Sequence, residues 1–145
     1  MIYYVKQSSV IPKDDLDKKW REVLFCEALK AVLITSNFDH YSKSFREPLG
    51  NSIDISFIKT IGYLKNNSAS RVVDAWFFSI KLFFVLLDLL KSGDVVVSAY
   101  PTPESTLICK ICCKIKGAVF VVDCRDTWPR AFNAKRKVIK FFFTI

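Results

Sequence analysis

Two near-continuous hydrophobic segments constrain the fold of this chain more than any other feature. Residues 94–99 read DVVVSA and residues 118–123 read AVFVVD, with an amphipathic segment ending at Gly117 between them. Strands that are apolar along their whole length are buried on both faces, as in parallel sheets covered by helices. The order strand, helix, strand therefore predicts a parallel α/β unit in this part of the chain.

Three further strand-like segments precede this unit. They lie at 1–6 (MIYYVK), at 31–36 (AVLITS) and at 53–57, where apolar residues partly alternate. Helical patterns separate them, one beginning near Asp14 and one capped within 66–70 and running to about Lys91. We therefore predict an α/β fold, a Rossmann-like parallel sheet with helices on both faces.

Helical spacing also predicts which side of each helix is buried. The first helix groups Leu16, Trp20, Val23, Leu24 and Ala28. The long helix groups Trp76, Phe77, Ile80, Phe83, Phe84, Leu87 and Leu90, with Asp74, Lys81 and Asp88 on the other side. The next helix groups Leu107, Ile108, Ile111, Cys112 and Ile115. Burial in the core explains the apolar side of the long helix. Docking on a membrane surface is the alternative for any part of that side left exposed. Charged residues interrupt the apolar run of this helix too often for a membrane span.

Polar residues follow the predicted strands at three points. In doubly wound sheets, ligands bind beyond the carboxyl ends of the strands, which selects residues 36–41, 99–104 and 123–130. The last segment sets two carboxylates, a guanidinium and an indole directly after a buried strand. Arg125 suits a phosphate or carboxylate, and Trp128 offers a flat face to a sugar or base. An Arg125–carboxylate pair that only fixes the loop is the alternative.

Several of these segments carry a family resemblance. SAYPTP at 98–103, then a helix, then GAVFVVDCRDTWP at 117–129 resembles the N-terminal half of the family 4 glycosyltransferases. The likeness is to the branch that assembles bacterial O-antigen, capsule and exopolysaccharide. VLITSNFDH at 32–40 resembles the second-strand motif of that branch, and NSASRV at 67–72 resembles the linker before its long helix. The resemblance covers most of residues 20–132.

The resemblance implies a GT-B enzyme, in which two Rossmann-like domains face each other across a cleft. The N-terminal domain would bind a lipid-linked saccharide acceptor and the C-terminal domain a nucleotide-sugar, with retention of the anomeric configuration and no metal. The donor is expected only in a full-length relative, and no cofactor is expected here. The resemblance gives no catalytic residue for this chain. The candidates for the acceptor cleft are Asp39, His40, Tyr100, Arg125, Asp126 and Trp128.

Three departures from the family pattern bear on activity. Residues 7–19 contain no Gly, although the family has a Gly-rich loop after its first strand. The Gly-His that precedes the second strand is also absent, since Lys30 runs directly into Ala31. The chain stops at Ile145, so we expect the donor domain to be missing and the chain to be inactive alone. The tail is either a membrane-contacting segment or a nonsense end produced by a premature stop or frameshift, and truncation is the favoured interpretation.

Positive charge is concentrated at the C-terminal end. Of the net charge of +8, residues 1–109 contribute 13 Lys and Arg against 12 Asp and Glu, while residues 110–145 contribute 9 against 2. We predict a domain over 1–132 and a basic, Phe-rich tail over 133–145. The candidates for contact with an anionic membrane are Arg130, Lys135, Arg136, Lys137 and Lys140.

Two functions thus remain in view. The first is the acceptor half of a glycosyltransferase in the cytoplasm, peripheral on the inner face of the plasma membrane. The second is a non-catalytic α/β module that binds a membrane or a partner through its basic end. Nucleic acid is not expected as a partner, because aromatic residues are not interleaved with the cations at any recognisable motif spacing.

Cysteine usage indicates a reducing compartment and structural thiols. Five Cys cannot all pair internally, and no secretory signal pattern is seen at the start. Cys109, Cys112 and Cys113 fall along one side of a helix, and a structural zinc site needs four ligands, so we expect buried thiols and no metal. A Gly-rich phosphate loop is absent, and His40 has no evident Ser or Cys partner for a hydrolytic triad.

Overall fold

The chain forms a parallel sheet with helices on both faces, as the sequence predicts. The computed structural model describes residues 1–8, 21–46, 53–66 and 68–124. Within them the elements are β1 (Ile2–Val5), α1 (Arg21–Leu29), β2 (Val32–Ser36), β3 (Ile55–Ile58), α2 (Ala69–Leu89), β4 (Val95–Tyr100), α3 (Pro103–Lys116) and β5 (Val119–Cys124). The strand order is β3-β2-β1-β4-β5, and every pairing is parallel. The predicted boundary between domain and tail lies outside the described residues.

The central strand β1 marks the point where the chain changes direction across the sheet. Tyr3 lies beside Val32 of β2 and beside Val96 of β4, so the carboxyl ends of these strands share one edge. After β3 the chain crosses through α2 to β4, on the other side of β1. In open α/β sheets this switch point opens a crevice at the carboxyl edge, where ligands bind.

Alternation along the strands divides the core into two layers. Tyr3 and Val5 point to the side covered by α2 and α3, where the buried residues are Ile34, Ile58, Phe78, Leu82, Leu86, Leu90, Val96, Cys109, Cys112 and Cys113. Tyr4 points to the side covered by α1, together with Cys26, Ala31, Leu33, Val97 and Ala99. Burial on both faces explains why β1, β2 and β4 are apolar along their whole length. The expectation of a strand buried on both faces at 118–123 is wrong, because β5 lies at the end of the strand order and is mostly exposed.

The predicted buried stripe of α2 is wrong for most of its members. The helix buries Asp74, Phe78, Ser79, Leu82 and Leu86, followed by its C-cap residue Leu90. From the predicted stripe, Leu90 is buried and Phe83 and Leu87 pack partly, whereas Trp76, Phe77, Ile80 and Phe84 are exposed. Asp74 lies inside because its carboxylate accepts a hydrogen bond from the Gly62 N–H at 2.8 Å. Apolar residues occupy both sides of this helix, and packing against the rest of the fold decides which side is buried.

The predicted faces of α1 and α3 also need correction. Helix α1 buries Glu22 and Cys26, while Leu24 and Ala28 are exposed; Leu16 and Trp20 lie outside the described residues. Helix α3 buries Ser105, Cys109, Cys112 and Cys113, while Leu107, Ile111 and Ile115 are exposed. Small thiols let α3 approach its neighbours closely, since the Cys112 Sγ lies 3.8 Å from the Phe83 carbonyl of α2. The prediction of buried thiols at 109, 112 and 113 is confirmed.

Helix ends follow the chemistry of their capping residues. Ser68 is the N-cap of α2, and its hydroxyl accepts from the Arg71 N–H at 3.4 Å. Gly117 ends α3 in the left-handed region at a φ of 68°, which favours glycine. In the described part of the chain, no helix has the length and apolarity needed to cross a bilayer.

Candidate functional site

The predicted site residues divide into two groups at the carboxyl edge. Asp39 and His40 follow β2, and Tyr100 ends β4, with β1 between those two strands. The remaining cleft candidates Arg125, Asp126 and Trp128 lie outside the described residues. The membrane candidates Arg130, Lys135, Arg136, Lys137 and Lys140 lie outside them as well. The described edge therefore contains one polar cluster beyond β2 and β3 and another beyond β4 and β5.

A closed loop follows β2 and carries the first cluster. Phe38 and Phe45 form an antiparallel bridge, and their rings meet edge to face at 5.4 Å between centroids. The loop is closed at its base by the Arg46 N–H, which donates to the Asn37 carbonyl at 2.7 Å. Gly62, after β3, packs beneath it with a φ of 73°, and a Cβ there would stand 2.8 Å from the Phe38 ring. Only glycine fits this position without displacing the loop.

Asp39 holds this loop together. Its Oδ1 accepts from the Tyr41 N–H at 2.8 Å and from the Ser42 N–H at 3.4 Å, and its Oδ2 pairs with the Arg46 Nη2 at 3.0 Å. Burial alone would raise the pKa of Asp39, but the Tyr41 N–H and the Arg46 guanidinium outweigh it and keep that pKa below its ordinary value. The carboxylate is thus occupied by its own loop, and its described contacts are structural.

Arg46 is a buried cation whose hydrogen bonds are incomplete. Its side chain is only 6% exposed, and its Nη2 pairs with Asp39. The Nε and Nη1 atoms are buried without a hydrogen-bond partner among the described residues.

His40 lies at the centre of a group of basic and aromatic side chains. The Tyr63 hydroxyl lies 2.5 Å from the His40 Nδ1. The Lys43 Nζ lies 4.5 Å and the Arg71 Cζ 6.0 Å from the Tyr63 ring centroid, and both side chains also bond to Asn66. Burial lowers the pKa of His40, and the Lys43 and Arg71 charges lower it further. We call these five residues the His40 cluster.

A chain of buried polar groups fixes the strand ends beneath this cluster. The Gln7 carbonyl accepts from the Ser36 N–H at 3.0 Å and from the Thr35 hydroxyl at 3.2 Å. The Ser36 and Thr60 hydroxyls lie 2.9 Å apart, which joins β2 to the end of β3. Asp74 accepts from the Gly62 N–H and lies 3.5 Å from the Gln7 Nε2, so α2 is tied to the same edge. Paired buried polar groups rigidify a structure, and the loops at this edge start from fixed positions.

The second cluster lies beyond β4 and β5. The Asp123 Oδ2 accepts from the Tyr4 hydroxyl at 2.7 Å, and its Oδ1 pairs with the Arg21 Nη2 at 2.5 Å. The guanidinium that pairs with this carboxylate thus comes from α1. Tyr100 is buried beside Cys124 in the strand register, and burial raises the pKa of its hydroxyl, with the nearby Cys124 adding to the rise. A buried, neutral phenol at the end of β4 can shape a ligand site and donate a hydrogen bond.

A hollow of about 220 Å³ lies at the opposite edge of the sheet. Its lining residues are Cys26, Glu27, Lys30, Ala31, Ile53 and Asp54. Burial raises the pKa of the Cys26 thiol to about 11, so this group is a neutral thiol at physiological pH. The carboxyl edge is the stronger candidate site because titratable side chains from several segments converge there.

Sequence reasoning selected His40 as a candidate but missed the other four members of its cluster, Lys43, Tyr63, Asn66 and Arg71. Tyr63 follows the end of β3, and the pair Gly62-Tyr63 after a strand is the signal that could have found it.

Comparison with known proteins found no matching family model, curated protein or solved structure. Across residues 1–8, 21–46, 53–66 and 68–124, no group of His, Cys, Asp and Glu is arranged to hold a metal ion.

Proposed function

We propose that this chain is the acceptor-binding half of a retaining glycosyltransferase. It would act in moving a sugar from a nucleotide-sugar to a lipid-linked polysaccharide precursor, with the donor bound by a second Rossmann-like domain. The observation that supports this proposal is that the segments resembling the family lie at one edge of the sheet. The segments that resemble the family's motifs follow β2, β4 and β5, and these strands end on the side where such sheets bind ligands.

Within this proposal the residues take different roles. His40 and Tyr100 border the acceptor cleft, and Asp39 keeps the loop beside it in shape. Arg125, Asp126 and Trp128 remain predicted cleft residues, adjoining Asp123 at the end of β5. We expect the 145 residues alone to transfer no sugar, because a GT-B enzyme binds its donor phosphates in the other domain.

Ligand binding by the purified chain tests this proposal. Saturation-transfer NMR should show binding of a detergent-solubilised prenyl-diphosphate saccharide and no binding of nucleotide-sugars. Tyr100→Phe and Arg125→Ala should weaken saccharide binding, while the matched surface variant Lys110→Ala on α3 should leave it unchanged. Sugar turnover by the chain, or nucleotide-sugar binding in place of saccharide binding, would overturn the two-domain proposal.

A second candidate function, docking on an anionic membrane, is favoured by the exposed side of α2. This side presents Val72, Val73, Trp76, Phe77, Ile80 and Phe84. We call these six residues the α2 apolar face; it extends for about 18 Å along the helix. The Lys81 Nζ lies 4.5 Å from the centroid of the Phe77 ring, which sets a cation beside the aromatic side chains. Aromatic residues next to a cation suit the headgroup boundary of a bilayer.

The two functions are compatible, because a lipid-linked acceptor is presented at a membrane. The protein would then lie on the cytoplasmic side, peripheral on the inner face of the plasma membrane. The predicted contacts of the basic tail would add to the α2 apolar face, since each Lys or Arg near an anionic surface contributes about 1 kcal/mol. Salt should weaken this part of the binding, as the Debye length falls to about 3 Å at 1 M.

Liposome flotation separates docking from non-specific adhesion. We expect stronger binding to anionic than to zwitterionic vesicles, with a loss at high salt. Phe84→Glu in the α2 apolar face should reduce flotation, whereas Ile115→Glu, an equally exposed apolar position on α3, should not. Salt-insensitive binding to both vesicles, or equal effects of the two variants, would show that exposed apolar surface adheres without a specific docking face.

A further inference from the structure

Two cationic side chains from distant segments converge at the start of α2. Lys43 comes from the loop after β2, and its Nζ donates to the Asn66 Oδ1. Arg71 comes from the first turn of α2, and its Nη1 donates to the Asn66 carbonyl at 3.0 Å. Both cations also lie over the ring of Tyr63. The fold therefore holds two positive charges close together at one point of the carboxyl edge.

Neither cation is paired with a carboxylate among the described residues. The ion pairs there join Lys6 to Glu22, Arg21 to Asp123, Arg46 to Asp39 and the N-terminal amine to Asp94. The carboxylates nearest the His40 cluster are engaged elsewhere: Asp39 bonds its own loop, and Asp74 accepts from the Gly62 N–H. Two like charges held close together repel each other, and an anion bound beside both would relieve that repulsion.

The end of α2 adds to this positive potential. Helix α2 has 21 residues, and its first turn contains no acidic side chain. The partial positive charge of a helix N-terminus attracts anions, especially where basic side chains adjoin it. The Ser68 hydroxyl donates to the Lys65 carbonyl at 2.6 Å and lies 2.8 Å from the Ser70 hydroxyl, so the two serines are bonded within this end of the helix.

The His40 ring lies beside the Tyr63 ring that both cations contact. The His40 Nδ1 and the Tyr63 hydroxyl share a hydrogen bond, and in the tautomer whose Nδ1 accepts from Tyr63 the neutral ring has its proton on Nε2. Protonation of the ring would add a third positive charge. The charged and titratable groups that face His40 within the described residues are Lys43, Arg71, Asp39, Tyr41 and Tyr63.

We propose that the His40 cluster binds a phosphate group. Arg71 and Lys43 supply the charge, the N-terminus of α2 faces the anion, and the His40 Nε2 donates to it. A phosphate matches this arrangement better than a carboxylate does, because it carries up to two negative charges and three or more acceptor oxygens. The inference rests on the proposed function only for its natural ligand, which would be the phosphate of a lipid-linked acceptor.

NMR titration of the isotope-labelled 145-residue chain with inorganic pyrophosphate tests the site. We expect the amide signals of residues 68–71 and the His40 imidazole signals to shift together. Arg71→Gln and Lys43→Gln should each weaken binding about tenfold, as expected for loss of one charge-assisted hydrogen bond. Lys110→Gln removes the same charge from an exposed position on α3 and should leave the affinity unchanged.

A pH series tests the part of His40. The ratio of wild-type to His40→Gln affinity should rise as the pH falls from mildly alkaline to mildly acidic, because the ring gains its charge in that range. Comparing the two proteins at each pH cancels the titration of pyrophosphate itself. A ratio that stays constant would remove His40 from the site.

Titrations with two different ligands identify the source of the phosphate. Stronger binding of short-chain phosphatidic acid than of pyrophosphate, lost in Arg71→Gln, would indicate a lipid phosphate, and the reverse order would indicate a soluble phosphoester. No shifts at millimolar pyrophosphate, or wild-type affinity in both Arg71→Gln and Lys43→Gln, would overturn the proposal. Phosphate binding without saccharide binding would keep the site and reject the glycosyltransferase function.

Discussion

Replacing Leu82 by Ala tests which side of α2 belongs to the core. Leu82 is fully buried in the layer between α2, α3 and the sheet, beside Phe78 and Leu86. The change removes three carbon atoms, which corresponds to roughly 2.4 kcal/mol of lost apolar transfer at about 0.8 kcal/mol per methylene. The cavity left behind adds to this loss, so we expect a total cost of about 3–4 kcal/mol.

The assay is urea unfolding of the 145-residue chain followed by far-UV circular dichroism. For a slope of about 2 kcal/mol per molar urea, a loss of about 3 kcal/mol lowers the midpoint by about 1.5 M. The matched control is Ile80→Ala, two residues away on the same helix, where the native side chain is 53% exposed. Its cost should stay within about 0.5 kcal/mol, since alanine also favours the helix.

The pair discriminates between the two apolar sides of α2. The stripe inferred from the sequence includes Ile80 and omits Leu82, so it predicts the opposite ranking. If Ile80→Ala lowered the midpoint as much as Leu82→Ala, the packing of α2 described above would be refuted. An unchanged slope in both variants is needed for the comparison, because a changed slope would signal an altered unfolded or native state.

The site and the core give three further expected outcomes. Cys124 is exposed and should react with a disulfide reagent in the folded chain. Cys109, whose pKa is raised by burial to about 12, should react only after unfolding. Equal reaction rates of these two thiols in the folded chain would contradict the burial of Cys109. Stability should be lost as pH falls through the folded pKa of Asp39, because a lowered carboxyl pKa contributes stability above the unfolded value. Asp39→Asn should flatten this part of the profile of urea midpoint against pH, and an unchanged slope would contradict the loop contacts. Asp123→Ala should destabilise the chain by about 1–3 kcal/mol, because it removes the acceptor of the Tyr4 hydroxyl; a change below about 0.5 kcal/mol would show that this contact is dispensable.

The strands could be predicted from the sequence because their signal is local. Residues 94–99 and 118–123 are rich in β-branched side chains, and β4 and β5 coincide with them to within a residue at each end. Gly117 marked the helix end correctly, since a left-handed φ is a property of one position. Parallel pairing was inferred from segments that are apolar along their whole length. The inference gave the correct pairing for β4 and β5, although β5 itself is mostly exposed.

Helix orientation failed because it depends on other elements. Both sides of α2 are apolar, so periodicity alone cannot choose between Ile80 and Leu82. The choice is made by the thiols of α3, which allow close approach, and by Gly62, whose N–H lets Asp74 be buried. A charged residue on a helix was taken as a sign of exposure, and the paired carboxylate of Asp74 shows why that inference fails.

The sequence predicted the edge of the sheet at which the candidate residues lie, but not which side chains surround His40. Asp39, His40 and Tyr100 lie at one edge because the carboxyl ends of parallel strands share it. Lys43 and Tyr63 could not be found in this way. They reach His40 through loop conformations, with Lys43 at a φ of 54° and Gly62 at 73°, that no periodic pattern specifies.

The geometry of α2 makes the two binding proposals independent. Each residue of an α-helix advances by about 100°, so Arg71 and Ile80, nine residues apart, lie on opposite sides of the helix. Ile80 lies in the α2 apolar face, whereas Arg71 turns toward Asn66 and Tyr63. Arg71→Gln should therefore weaken phosphate binding about tenfold without affecting flotation on vesicles, whereas Phe84→Glu should reduce flotation without affecting phosphate binding. An acceptor held in the cleft requires the His40 cluster, while peripheral docking requires only the apolar face. Which variant impairs function in a cell would thus decide between an enzyme half and a membrane-binding module.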